Sequence, residues 1–366
     1  MRILQVVSLL TPDGAFGGPA RVALNQSAEL VRRGHDVTLA AGFCGYVSPP
    51  SEIDGVPLRL FPARTLLPGS GFRGMGVPGL ARWVHEHAAE FDIIHIHFGR
   101  DLMVLPVAAI VRQRQVPYVL QTHGMVIPSK HPLAGPLDAL WTRRLLAGAA
   151  AVLYLTGLER RQLREVAGRE LRFLELLNGV PDYPPGHGGH GSPEVLFVAR
   201  LDARKRPGLF VAVAQQLLRE GVDARFSLVG PDEGEGVTVR DLIGDDSRIT
   251  WEGPLDPTAI PERMASASVY VLPSEREPYP MTVLEAMSVG LPVVVCDDCG
   301  LAPVIDRTGS GLVAAGTADS VAAAVKTVLS DPAPFGQRAR ETALRDFGMT
   351  AVGDRLLTVY QQALAD

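Results

Sequence analysis

Short apolar runs alternate with amphipathic stretches along the whole chain, and this alternation restricts its fold more than any other feature. Strand-like runs occur at Ile3–Leu10, Val37–Ala41, Ile93–His97, Tyr118–Thr122 and Ala151–Leu155. A second set comprises Val195–Ala199, Phe226–Val229, Arg248–Trp251, Val269–Leu272 and Val293–Val295. Helical patterns fit between them, among them Ala20–Arg33, Ala139–Ala147, Pro207–Glu220 and Ile260–Ala265. Such alternation predicts βαβ units and parallel sheets. The sets are separated by Pro181-Asp-Tyr-Pro-Pro-Gly-His-Gly-Gly-His-Gly-Ser-Pro193, which has almost no large apolar residue and reads as a linker. The expected fold is therefore α/β, with two Rossmann-like domains facing across a cleft, residues 1–182 and 183–349. A length of 366 residues suits two domains. Ligands of such sheets bind beyond the carboxyl ends of the strands.

Apolar content of 46% with 20% charged residues is that of an ordinary soluble protein, and no run of about eighteen apolar residues suggests a membrane span. The apolar start reads as a first buried strand, being too short for a signal peptide and lacking a cleavage site. Three cysteines cannot build a disulfide framework, so cytoplasm is the expected compartment. Residues 1–182 hold 19 Lys and Arg against 15 Asp and Glu, whereas residues 183–366 hold 16 against 25. The basic first half points to an anionic partner: a phosphorylated acceptor, a lipid diphosphate or the inner face of a membrane, touched peripherally. No dense basic run with interleaved aromatics speaks for nucleic acid.

The chemistry concentrates in a few segments. In Glu277-Pro-Tyr-Pro-Met-Thr-Val-Leu-Glu285, Pro280 suits the first position of a helix expected over Met281–Val289, which Gly290 stops. Free N–H groups at Met281, Thr282 and Val283 and a partial positive charge would hold a phosphate there. The flanking carboxylates would accept from sugar hydroxyls. Arg200 and Lys205, five apart after a strand, can neutralise two phosphates and stabilise a departing diphosphate. Gly17 and Gly18 follow the first strand and permit close backbone approach. Gln121-Thr-His123-Gly124 places a histidine at a strand end, where it can donate to a sugar oxygen. His95 and His97 share one strand face, but no third metal ligand stands nearby. Cys296-Asp-Asp-Cys299 lacks the partners of a zinc site and reads as a strand-end loop. A dinucleotide fold is disfavoured, because G-x-G-x-x-G is absent and no acidic residue ends the second strand.

In this order the Gly-Gly loop, Thr-His-Gly, Asn178-Gly-Val, R-x4-K and E-x7-E segments resemble the retaining, GT-B-fold glycosyltransferases of family 4, and the resemblance covers nearly the whole chain. It implies that a helix over 350–366 crosses back to the first domain. It also implies that Glu277 faces the transferred sugar, Glu285 the ribose, and His123 the sugar near its reacting carbon. Gly17, Gly18, Arg200, Lys205, Leu255, Met281, Thr282 and Glu285 would bind the donor, and His97, Arg100 and Asp101 would sit at the acceptor pocket. The chain departs from the family at Pro278-Tyr279-Pro280, where relatives often have Gly-Phe-Gly, and Pro280 cannot donate a hydrogen bond. The implied reaction moves sugar from a nucleotide diphosphate sugar to a hydroxyl of a sugar, lipid-linked or small-molecule acceptor. It requires no metal and no other cofactor. A nucleotide-sugar epimerase and a non-catalytic binding protein are the alternatives.

Overall fold

The computed structural model describes residues 1–366 except 13–16, 70, 133, 187–191 and 366, and leaves the side chains of residues 17 and 73 undescribed. Segment 13–16 of the glycine loop and 187–191 of the linker therefore lie outside the described residues. The chain forms two compact units, Met1–Gly179 with Met349–Asp366, and Val180–Gly348.

The first unit is built on β1 (Arg2–Leu10), β2 (Asp36–Phe43), β3 (Val56–Pro62), β4 (Ile93–His97), β5 (Tyr118–Gln121), β6 (Ala151–Tyr154) and β7 (Phe173–Glu175). Their order in the sheet is β7-β6-β5-β4-β1-β2-β3, all parallel, with a two-residue antiparallel strand at the edge. The central strands are apolar on both faces, so successive residues feed two cores. Ile3, Ile93, Val119 and Leu153 pack with Val352, Leu356, Val359 and Tyr360 of the helix Met349–Ala365. Leu4, Ile94, Leu120 and Val152 point into the other core. The last helix thus belongs to the first unit, and covering each such aliphatic side chain contributes about 1.5–3 kcal/mol.

The second unit carries β8 (Glu194–Val198), β9 (Arg225–Val229), β10 (Ile249–Trp251), β11 (Val269–Leu272), β12 (Val293–Cys296) and β13 (Gly311–Ala314). Their order is β10-β9-β8-β11-β12-β13, again parallel. The chain runs outward from β8 through β9 to β10, then returns to β8's other side with β11. That reversal opens a crevice at the carboxyl ends of β8 and β11, the usual place for a ligand in such a sheet. In the first unit the corresponding reversal lies between β1 and β4.

One helix differs from its expected form. The span 134–148 is interrupted by a π-helical turn at Asp138–Thr142, where Asp138 is drawn toward Arg100. Single π turns inside α-helices are rare and are found most often near functional sites.

Candidate active site

The loop after β8 carries the two cations. The Asp202 carboxylate accepts from the backbone N–H groups of Arg204 (2.9 Å) and Lys205 (3.1 Å), which folds 200–206 into a tight turn. Arg206 takes a left-handed φ of 53° before Pro207 opens the next helix. Lys205 Nζ then lies 2.5 Å from a carboxylate oxygen of the buried Glu277, with the lysine side chain itself partly buried. Arg200 is one-third exposed and donates to Glu233 at 2.5 Å. Glu277 sits in the loop after β11, so the pair spans the mouth of the β8/β11 crevice. The two loops are joined directly, because Glu275 N–H donates to the Arg204 carbonyl (2.9 Å).

The helix Met281–Ser288 starts at Pro280, whose φ of −75° and ψ of 112° place it outside the helix as its cap. This corrects the expected set of free donors. Val283 N–H bonds to the Pro280 carbonyl at 3.2 Å, because the first turn tightens, and Met281 and Thr282 remain to face an anion. The helix ends at Ser288, one residue short of the expected Val289. Thr282 Oγ1 lies 2.8 Å from the buried Tyr270 hydroxyl, which donates to the Val198 carbonyl (3.1 Å). Glu285 is buried one turn into this helix, and its charge helps to push the Tyr270 hydroxyl pKa up, after burial as the main cause. Leu255 is half-buried in the loop after β10, at the sheet edge.

In the first unit, Gly17 opens the helix Gly17–Arg32, and a Cβ on Gly18 would meet nothing within 4 Å, which leaves its approach open. His123 follows β5 in a left-handed conformation, φ 50°. Its Nε2 lies 2.7 Å from His97 Nδ1, and its Nδ1 is buried without a partner. Burial lowers the His123 pKa to about 3, so the ring is neutral at physiological pH. His97, Arg100 and Asp101 have their polar atoms engaged inside the protein. His97 is fully buried between His123 and Gln5. Arg100 makes a two-pronged bond to Asp138 (2.8 and 2.7 Å) and reaches the Ile127 carbonyl. The Asp101 carboxylate, its pKa raised by burial, accepts from Met103 N–H, Val104 N–H and Ser8 Oγ. These contacts order the strand end around the three side chains. Among the described residues no cluster of three metal-ligating side chains occurs.

A model of the glycosyl transferases group 1 family matches residues 192–331, and a glycosyl transferase 4-like domain matches residues 17–179. The chain belongs to the family 4 glycosyltransferases. The D-inositol 3-phosphate glycosyltransferase of Kineococcus radiotolerans is 27% identical over 96% of this chain and 92% of its own. The structure of Anabaena HepE in complex with UDP and glucose aligns with a TM-score of 0.77 at 19% identity, over 99% of each chain. Sucrose-phosphate synthase from Thermosynechococcus elongatus aligns at 0.77 and 20% identity over the whole of both. The fold is thus GT-B, as the motif order implied, and transfer is favoured over epimerisation or simple binding.

In each unit of this glycosyltransferase, residues that support the motifs escape motif reading. Glu159 is buried and accepts from Thr122 Oγ1 and Gly124 N–H, both at 2.5 Å, and from Leu155 N–H at 2.7 Å. It therefore fixes the Thr-His-Gly turn from below. The signal was Thr156-x-x-Glu159, a capping box opening the helix Gly157–Ala167. Glu233, the partner of Arg200, carries no motif. The loop of the paired cysteines supports Glu277: Gly300 N–H donates to the Glu277 carbonyl (2.8 Å), and a Cβ on Gly300 would collide with the Pro278 carbonyl. Asp298 accepts from Arg276 N–H (2.7 Å). Burial lifts the thiols of Cys296 and Cys299 to about 11 and about 12, so neither is a reactive thiolate.

Proposed function

We propose that this glycosyltransferase uses a nucleoside diphosphate sugar, releases the diphosphate without a metal ion and retains the anomeric configuration. The supporting observation is the Lys205–Glu277 pair at the β8/β11 crevice, 2.5 Å apart beside the helix opening at Met281. An ammonium has three donors, and one given to Glu277 leaves two for phosphate oxygens. Arg200 and the Met281 and Thr282 amides supply the rest of the positive field. Glu285 accepts from the ribose hydroxyls, and Glu277 both steadies Lys205 and faces the sugar. As the anomeric carbon–oxygen bond to phosphate breaks, the acceptor oxygen bonds to that carbon from the same face. Its proton passes to the departing phosphate oxygen, so glycoside and nucleoside diphosphate form without a separate base. HepE was crystallised with UDP and glucose, which makes UDP-sugars the first donors to assay. The acceptor is a hydroxyl on a sugar, a lipid-linked intermediate or a small molecule. The enzyme works in the cytoplasm, in polysaccharide, glycolipid or glycoside synthesis, with peripheral contact to the membrane.

The test incubates the protein with UDP-, GDP-, ADP- and TDP-sugars and a panel of hydroxyl acceptors in excess EDTA, then reads product configuration by NMR. Turnover persists with EDTA, the donor configuration is kept, and Lys205→Ala lowers kcat by about 10²–10³, the scale for one preorganised donor. Activity recovered only by Mg²⁺ or Mn²⁺, or an inverted product, overturns the reading.

A further inference from the structure

A line of buried hydrogen bonds runs from the carboxyl end of β5 to the last helix of the chain. His123 Nε2 meets His97 Nδ1 at 2.7 Å, and His97 Nε2 meets Gln5 Oε1 at 2.9 Å. Gln5 Nε2 then donates to the Tyr360 hydroxyl at 3.2 Å, and that hydroxyl lies 2.7 Å from His95 Nδ1. Gln5, His95, His97 and Tyr360 are all fully buried. The His97 and His123 rings are parallel within 7°, with centroids 5.0 Å apart.

Each link has one donor and one acceptor, so direction passes along the line. The Gln5 oxygen can only accept, which places the His97 proton on Nε2. His97 Nδ1 is then a bare lone pair and must accept from His123 Nε2–H. At the other end Tyr360 accepts from Gln5 and gives its own proton to His95. The tautomer of an imidazole follows from the bond its other nitrogen makes. His123 is left with a bare Nδ1, buried and without a partner. A buried polar atom of that kind requires an explanation, and a ligand hydroxyl is one.

We infer that Gln5, His97 and Tyr360 are positioning residues whose hydrogen-bond line holds His123 as its neutral Nε2–H tautomer and reserves Nδ1 to accept from a hydroxyl of the bound sugar. This rests on the sugar-transfer reading for its ligand, but not for the tautomer, which belongs to the free protein. It also makes the last helix, through Tyr360, part of what sets the His123 proton.

Nitrogen-15 NMR of the imidazoles in the full-length protein tests the line directly. His123 should show a protonated Nε2 and a bare Nδ1 at pH 7. Gln5→Met keeps the side-chain shape and removes both polar atoms, and it should give a mixture of His123 tautomers. Gln5→Glu, protonated by burial, again offers a carbonyl to His97 and an O–H to Tyr360, and should restore the single form. In transfer assays Gln5→Met should lower kcat tenfold or more, with donor KM within twofold, and Gln5→Glu should recover most of it. Tyr360→Phe, a smaller change, provides the same readouts if Gln5→Met does not fold. A folded Gln5→Met or Tyr360→Phe protein with one unchanged His123 tautomer overturns the inference, as does a protonated Nδ1 in the wild type. If no donor supports transfer, the sugar-transfer reading fails, and the tautomer measurement still decides the hydrogen-bond line.

Discussion

Glu159 draws three donors from two separate stretches of chain: Thr122 Oγ1 and Gly124 N–H of one turn, and Leu155 N–H. An amide in its place turns one acceptor oxygen into a donor that faces another donor. Glu159→Gln is therefore expected to destabilise the first unit by about 1–3 kcal/mol, the cost of a buried group left unsatisfied. Urea unfolding measures this, and transfer activity should fall with it as His123 leaves its left-handed φ. An unchanged midpoint would show that the carboxylate does not hold the turn. Legibility at this scale followed chain distance. Lys205, Glu277 and His123 were readable because each sits in a short local pattern. Glu159 left only a capping signature, and the bond between Gln5 and Tyr360 joins residues 355 apart, which no local pattern can show. Arg100 and Asp101 were read as acceptor groups from their place at a strand end, and their bonds to Asp138 and Ser8 are equally beyond a local pattern.

Apart from the edge strand β10, the strands that could be read are buried on both faces, where a continuous apolar run needs no partner to reveal it. β3 was not among them, since Val56–Pro62 alternates between buried and exposed positions and contains two prolines, as an outer strand allows. β13 is short and begins at Gly311, where a Cβ would strike the Val293 carbonyl. The π-helical turn at Asp138–Thr142 leaves no local pattern, and the Arg100 that pairs with its Asp138 is 38 residues away. This turn also carries exposed Leu140 and Trp141, while Leu158 is exposed at the start of the neighbouring helix Gly157–Ala167. Arg144, in the helical turn that follows, and Arg161, in the helix Gly157–Ala167, are also exposed. Exposed apolar groups and cations on neighbouring elements are suited to the interface of an anionic bilayer. No helix among the described residues is long and apolar enough to cross one. Sedimentation with vesicles rich in phosphatidylglycerol should carry the protein down. Leu140→Ser with Trp141→Ser should weaken that partition about tenfold, the scale of roughly 1.4 kcal/mol of lost apolar burial. Equal recovery of wild type and variant would remove the membrane role of this turn.

Across the molecule, buried histidines concentrate in the first unit. Burial lowers His95 and His123 to about 3 and His97 well below its ordinary value, with mutual repulsion adding to the shifts of His95 and His97. In the unfolded chain they titrate near 6.5. The unfolded state therefore binds more protons between those values. The stability they contribute is complete above about pH 6.5 and is lost as pH falls toward 3, at up to about 1.4 kcal/mol per pH unit for each ring. Denaturant unfolding followed through Trp83 and Trp141, with Trp251 replaced by Phe, should show a lower midpoint at pH 5 than at pH 7. A midpoint independent of pH in that window would mean the rings are charged in the native state. The division of the chain has a consequence during synthesis. The second unit, Val180–Gly348, interrupts the first in sequence, so a ribosome finishes all of it while the earlier sheet still lacks Val352, Leu356, Val359 and Tyr360. A nascent chain released before those residues would present a bare apolar sheet face to chaperones and proteases. Translation through the helix Met349–Ala365 is thus a condition for the first unit to close, and with Tyr360 that helix brings a late polar group to the line that ends at His123.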